Sequence, residues 1–356
     1  MKKILLLTDV KFWEKCSGDR IRIEELIRFL STMVKLTVVA TGPAPLDIEH
    51  FLSLNYAAEF LILEHKKILS SAGYGRRLQK HLKDESFDTV IIEYVHSSYF
   101  LNYLQFEAQI ILDAHDIVSE RGAEFSQYGF AGALYELSSD DEMKLFKLYD
   151  YVMLLCKPDQ ELIKNVIGIE KALLCAHPVP PVTRKLRKKA EKIAFVASAY
   201  IPNRDAINWF IRECWPAITD QHQVQLFIYG TVGYELDIQE RNDIKVMGFW
   251  PDRDSIYNDS DIMINPVRFG AGLKIKNIEA LANGLPLVTT THGARGIESA
   301  IDHAFLVGDG TAFAQQLNLL IGNYKLRKKL VGNARAYVEA NYSAENCFQS
   351  LLNAIL

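Results

Sequence analysis

Residues 261–291, DIMINPVRFGAGLKIKNIEALANGLPLVTTT, hold a glycine loop, two lysines and a glutamate at a spacing suited to binding an anion. Phe269-Gly270-Ala271-Gly272 is too glycine-rich for regular structure, and a helix is expected from about Leu273 to Asn283. Ile275, Ile278, Leu281 and Ala282 recur at the three- and four-residue spacing of a buried stripe. A glycine loop opening a helix presents unpaired backbone N–H groups at the positive end of the helix dipole. Lys274 and Lys276 in the first turn oppose that dipole, and an anion over the turn would explain them. Glu279 has two readings, a salt bridge to Lys276 three residues back or a carboxylate that binds hydroxyls. A second cluster lies in ILDAHDIVSERGAEF, where Asp113, His115 and Asp116 follow a short apolar strand. A carboxylate beside a histidine can fix its tautomer.

The elements that must position these groups alternate. Asp261–Asn265 and Leu285–Thr290 read as strands flanking the expected helix, with Gly284 suited to the left-handed residue after its last turn and Pro286 forbidding continuation. Further strands are expected at 3–8, 35–41, 58–63, 89–93, 110–113, 151–156, 173–176, 193–197 and 224–230. Helices are expected near 21–30, 75–83, 97–104, 132–148, 311–321, 326–341 and 344–356. Short apolar strands alternating with helices call for parallel sheets covered on both faces. The acidic run Ser138–Glu142 reads as a solvated helix face. HPVPPVTRKLRKKAEK (177–192) reads as a stiff, basic linker, either solvated or attracted to anionic lipid.

With 356 residues, 49% hydrophobic and 24% charged, the chain suits a two-domain globular protein. A net charge of −4 argues against a nucleic-acid binder. Five scattered cysteines, none at C-x-x-C spacing, suggest neither a disulfide frame nor a zinc site, and a cytoplasmic home is expected. The start, MKKILLLTDV, is too short in apolar residues for a signal peptide and reads as a strand. No run approaches a membrane span, so any membrane contact is expected to be peripheral, at the inner face. No G-x-G-x-x-G follows the first strand, which weighs against a dinucleotide dehydrogenase.

GAGLKIKNIEALANGLPLVTTTHGARGIE resembles the donor-sugar-nucleotide motif of the GT-B glycosyltransferases of family 4 (glycosyl transferases group 1). It is similar to the branch reading G-x-G-x-K-x-K-x-x-E-A-x-A-x-G-x-P-V-V. The resemblance implies an α/β GT-B fold: two Rossmann-like doubly wound parallel-sheet domains with an interdomain cleft and a C-terminal crossing helix. It implies an acceptor-binding domain at 1–180, the linker at 181–192, a nucleotide-sugar-binding domain at 193–340, and a helix at 341–356 packing back on the first domain.

The resemblance also implies roles. Glu279 would bind the ribose, and the backbone of Gly270, Ala271, Gly272 and Leu273 would face the diphosphate and sugar. His115 would contact the transferred sugar, with Asp116 as its orienter, and Gly18 would lie against donor and acceptor. In FVASAYIPNRDA, Ala197 falls where the family has a glycine, Ser198 where it has an arginine, and Arg204 where it has a lysine. Lys274 would then supply the missing cation. Gly248 and Phe249 would face the nucleobase, and Asn203, Gly230 and Lys276 complete the expected donor-binding set. The first of two motif glutamates falls on Ala271, a departure that bears on sugar choice and activity.

The implied activity is that of a retaining, metal-independent hexosyltransferase of polysaccharide biosynthesis. It would move a sugar from a UDP- or GDP-linked donor to a hydroxyl of a glycan, lipid-linked or protein acceptor, with no separate cofactor. A nucleotide-sugar-binding protein without turnover and a sugar-nucleotide epimerase remain alternatives.

Overall fold

The computed structural model describes residues 1–14, 17–43, 55–65, 70–236 and 241–356. Cys16 lies outside them, and Cys156, Cys175, Cys214 and Cys347 are buried. The chain divides into two units: Met1–Ser126 with Phe130–His177 and Cys347–Leu356, and Gln127–Gly129 with Pro178–Asn346.

The first unit is built on a seven-stranded parallel sheet, ordered β3-β2-β1-β4-β5-β6-β7. Its strands are β1 (Lys3–Thr8), β2 (Lys35–Pro43), β3 (Ala58–His65), β4 (Thr89–Glu93), β5 (Gln109–Asp113), β6 (Tyr151–Leu154) and β7 (Ala172–Leu174). Central strands of a parallel sheet are covered on both faces, so they read as unbroken apolar runs. Ile4 to Leu7 and Val90 to Ile92 are all fully buried. The helix Gly18–Ser31 buries Ile23, Leu26, Ile27 and Leu30. From Cys347 the helix Ala344–Ile355 clusters with this unit. There Phe348 packs against Phe29 with ring centroids 5.0 Å apart, and Gln109 donates to the Ala354 carbonyl at 3.1 Å.

Three expectations for this unit need correction. The helix expected over 132–148 is confined to Ser139–Phe146, because the Ser138 hydroxyl accepts from the Asp141 amide and starts the helix there. Its acidic run is not wholly solvated either. Glu142 is fully buried and accepts from the amides of Val118 and Ser119 at 2.7 and 2.8 Å. These are orphan donors at the start of the helix Val118–Gln127, so Glu142 caps a neighbouring helix. The segment expected as a helix over 97–104 is a 3₁₀ stretch, Val95–Tyr103.

The second unit carries a six-stranded parallel sheet, ordered β10-β9-β8-β11-β12-β13. Its strands are β8 (Lys192–Val196), β9 (Gln225–Tyr229), β10 (Ile244–Gly248), β11 (Ile262–Asn265), β12 (Leu287–Thr289) and β13 (Leu306–Val307). The helix Ile201–Trp209 runs into a π segment, Phe210–Cys214. Pro216 lacks an amide hydrogen, and the Trp215 amide reaches the Phe210 carbonyl five residues back.

The basic linker is fastened to this unit. Arg184 donates to Asn283, Asn258 and Asp254. Arg187 pairs with Asp261 at 2.9 Å, and Lys192 with Asp259 at 2.6 Å. Three of the basic side chains of 181–192 are thus paired within this unit.

In each sheet the strand order reverses once, between β1 and β4 and between β8 and β11. Loops leaving the carboxyl ends on either side of such a reversal diverge and open a crevice. Gly18 follows β1, Ser198, Asn203 and Arg204 follow β8, and the loop Gly270–Leu273 follows β11, while His115 and Asp116 follow β5, the neighbour of β4.

Candidate functional site

In the first unit, β1, β4 and β5 end in polar residues after apolar runs. Asp113 closes β5 and Glu93 closes β4, both fully buried. Arg22, on the inner face of the helix Gly18–Ser31, is equally buried. It grips Asp113 with two nitrogens, at 2.9 and 3.2 Å, and donates to the Ala176 carbonyl at 3.0 Å. Burial works to lower the guanidinium pKa, but Asp113 outweighs it and the net direction is up.

His115 follows β5 with a left-handed φ of 60°. Its Nε2 lies 2.6 Å from Oε2 of Glu93. The expected orienter, Asp116, turns away and pairs with Arg121 at 2.7 Å. Its carboxyl is held by the Arg121 salt bridge, and Glu93 is the carboxylate bonded to the His115 ring. Burial, reinforced by Asp113, pushes the Glu93 carboxyl up to about 7. For His115, burial works downward, and Asp113 with the Glu93 hydrogen bond brings the net shift up.

Tyr94, also at positive φ (66°), stacks on the His115 ring at 4.0 Å and on His96 at 5.2 Å. His96 is held by Asp9 at 3.0 Å. Gly18 begins the helix after β1, with Ser17 at its N-cap. Glu93, Asp113 and His115 bring ligand-type atoms within 4.8 Å of one another. Arg22 occupies both Asp113 oxygens, so a dication there would face a fixed positive charge.

In the second unit, the loop after β11 leads through Gly270 and Gly272, both at positive φ, to the helix Ile275–Ala282. The helix starts later than the sequence suggests because Lys274 sits at its N-cap with non-helical angles. Lys274 Nζ donates to the carbonyls of Gly270, Ala271 and Gly272. An ammonium has three hydrogens, and these three bonds account for them. Lys274 braces the loop through these carbonyls. His292 bonds the Gly270 carbonyl from the other side at 2.8 Å. Beneath, Asn277 bridges Asn265 and the Gly293 carbonyl at 2.8 and 2.7 Å.

Lys276 reaches the first turn of the helix Ile201–Trp209 and the strand β8. Its Nζ lies 2.6 Å from Oδ1 of Asn203 and 4.8 Å from the Phe195 ring centroid. Burial and the neighbouring Lys274 lower its pKa to about 7. It does not pair with Glu279. Glu279, almost fully buried, accepts from Arg253 on one oxygen and from the Tyr257 hydroxyl at 3.0 Å on the other. Both partners come from the helix Arg253–Asp259. Burial and Glu279 raise the Tyr257 phenol, so it remains a donor.

The other expected donor-site residues scatter around the same edge. Arg204 pairs with Glu235 at 2.9 Å. The Ser198 carbonyl accepts from Asn203 Nδ2 at 3.1 Å. Gly230, at φ 96°, could not be another residue, because a Cβ would lie 2.1 Å from the Ala197 carbonyl oxygen. Gly248 ends β10, and the Phe249 amide donates to the Tyr234 hydroxyl at 3.0 Å, so that backbone donor is engaged within the chain. Leu273 is buried under the loop.

Sequence reasoning missed Arg22, Glu93, Arg253, Tyr257 and Asn277. One signal was present: TVIIE ends in an acid as IILD does, and a charged residue closing a buried strand is a marked position.

Residues 190–323 match the family described as Glycosyl transferases group 1. An uncharacterized 44.6 kDa protein in the cps region of Klebsiella pneumoniae is 26% identical over 172 residues. That match takes in 45% of this chain and 44% of the relative's length. Among solved structures, Anabaena HepE in complex with UDP and glucose is similar with a TM-score of 0.72 at 14% identity, over 99% of both chains. A mutant of S. aureus TarM in complex with Fondaparinux, alpha-GlcNAc-glycerol and UDP is similar with a TM-score of 0.78 at 11% identity, over 100% of both chains. Among the described residues no helix is long and apolar enough to cross a membrane. The chain has the GT-B fold, two Rossmann-like parallel-sheet domains, and the match to the glycosyl transferases group 1 model lies within its second unit.

Proposed function

We propose that this protein is a glycosyltransferase that takes a UDP-linked sugar and passes the sugar to a hydroxyl of a glycan, lipid-linked or protein acceptor. Transfer proceeds with retention and without a metal. The observation that carries this reading is Glu279. A carboxylate offers about four lone-pair positions, and Arg253 and Tyr257 take one on each oxygen. The remaining two are fixed in direction and suit the two adjacent hydroxyls of a ribose.

The diphosphate lies over the loop Gly270–Leu273 and is met by the start of the helix Ile275–Ala282 and by Lys276. Charge stabilisation of the leaving diphosphate supplies most of the rate enhancement. His115 contacts the transferred sugar. The UDP-bound relatives favour uridine over guanosine as the base.

A thermal-shift panel of nucleoside diphosphates and their sugar conjugates tests this. UDP is expected to raise the melting temperature equally with and without magnesium. A panel on which no diphosphate moves the melting point would refute the donor site.

Lys276 adds a pH signature. Its folded-state pKa lies near 7, below the ordinary amine value. A bound diphosphate favours the charged form and raises that pKa, so binding takes up a proton in the window above about 7. Titration calorimetry at pH 8 in PIPES, HEPES and Tris should show a heat that scales with buffer ionisation enthalpy, with uptake of up to about one proton. The affinity for UDP should fall as pH rises through that window. In Lys276→Gln the buffer dependence should vanish.

A further inference from the structure

Glu93 is an expensive residue to place where it is. It is fully buried, closes an apolar strand, and keeps one oxygen, Oε1, without a hydrogen-bond partner among the described residues. A buried acid with an unmet acceptor costs folding free energy. The Arg22–Asp113 pair already ties this edge of the sheet together, and a neutral side chain would close the strand as well. What Glu93 touches is His115, at 2.6 Å. Tyr94 covers the ring at an interplanar angle of 11°. Tyr94 and His115 are both non-glycine residues in the left-handed region. Such backbone strain gathers where a side chain must be aimed.

We propose that Glu93 is the positioning residue for His115: it holds the proton on Nε2, fixes the ring against Tyr94, and leaves Nδ1 to meet a substrate hydroxyl. That hydroxyl belongs to the transferred sugar only if the transferase reading above holds; the arrangement of the pair does not depend on it. The charged groups facing the pair are Asp113 from β5 and Arg22 from the helix Gly18–Ser31. Asp19, Asp116 and Arg121 face Tyr94. Asp113 and the Glu93 carboxylate both favour the imidazolium form of His115. Removing the carboxylate's charge therefore moves the histidine titration to lower pH.

The test is ¹⁵N NMR of histidine-labelled full-length protein between pH 5 and 9, with His115 assigned through His115→Gln. In the unaltered protein His115 should be the Nε2–H tautomer when neutral and titrate above an ordinary histidine. In Glu93→Gln its midpoint should fall by about one pH unit or more. With UDP-sugar as donor, the pH limb of kcat should move down with it. kcat should drop roughly tenfold or more, the scale of losing an orienting partner, while the KM for donor stays. A midpoint unmoved in Glu93→Gln overturns the proposal. So does a neutral Nδ1–H tautomer with an ordinary midpoint in the unaltered protein, a reading available even where the variant fails to fold. If no sugar is transferred from any donor and yet the His115 midpoint moves, the pairing stands and the transferase reading falls.

Discussion

Arg22→Ala is expected to destabilise the first unit by about 3–5 kcal/mol, the usual cost of breaking a buried ion pair from one side. The guanidinium and the Asp113 carboxylate are both fully shielded from solvent. Removal of Arg22 leaves that carboxylate unpaired, with the Ala176 carbonyl short of its donor. Phe348 also loses the cation set 5.8 Å from its ring centroid. The urea midpoint measures the loss. The double variant Arg22→Met/Asp113→Leu should recover much of it, because apolar residues of similar volume often replace a buried pair without penalty. A single variant as stable as the unaltered protein would mean that water reaches Asp113. Failure of the double variant to recover would instead assign the loss to the Ala176 and Phe348 contacts.

The second large effect is expected at Glu279. Glu279→Ala should weaken UDP binding by about 1.5–3 kcal/mol, the range for hydrogen bonds to a charged acceptor. That corresponds to roughly a tenfold to 150-fold rise in Kd. Tyr257→Phe, which frees one carboxylate oxygen from its fixed partner, should weaken binding less. Calorimetry of the three proteins gives the ranking. If Glu279→Ala binds UDP as the unaltered protein does, the ribose is held elsewhere and the carboxylate serves only to anchor Arg253. Some loss of melting temperature is expected in any case, because Arg253 and the Tyr257 hydroxyl lose their shared acceptor.

Much of the fold was legible because parallel sheets advertise themselves. Runs such as KILLLT and TVIIE are apolar without alternation, as strands covered on both faces must be. Each is punctuated by a polar loop where the crevice opens. His115 was legible as a residue after a strand end, and Glu279 as an acid at the edge of an apolar helix stripe. Their partners were not. Arg22 meets Asp113 across 91 positions of sequence, His115 meets Glu93 across 22, and Glu279 meets Arg253 across 26. Those distances are closed by sheet order, which no local pattern encodes. Asp116 looked like the orienter because it is adjacent, but a neighbour along the chain points wherever the turn sends it. The helix over 132–148 failed for a similar reason, since Ser138 offers the chain a capping bond that periodicity does not register. Lys274 was noticed for the right oddity, a cation at the wrong end of a helix dipole. In the structure it bonds three loop carbonyls.

The last helix also sets an order of events during synthesis. Phe29 and Arg22 find their covering ring in Phe348, more than three hundred residues later in the chain. The second unit, by contrast, draws nearly all of its residues from the continuous stretch Pro178–Asn346. As the chain leaves the ribosome, the second unit can close its core while the first still shows a gap over the helix Gly18–Ser31. The unit translated first is thus the one completed last. Until residues 347–356 arrive, its apolar helix face is the surface a chaperone would hold.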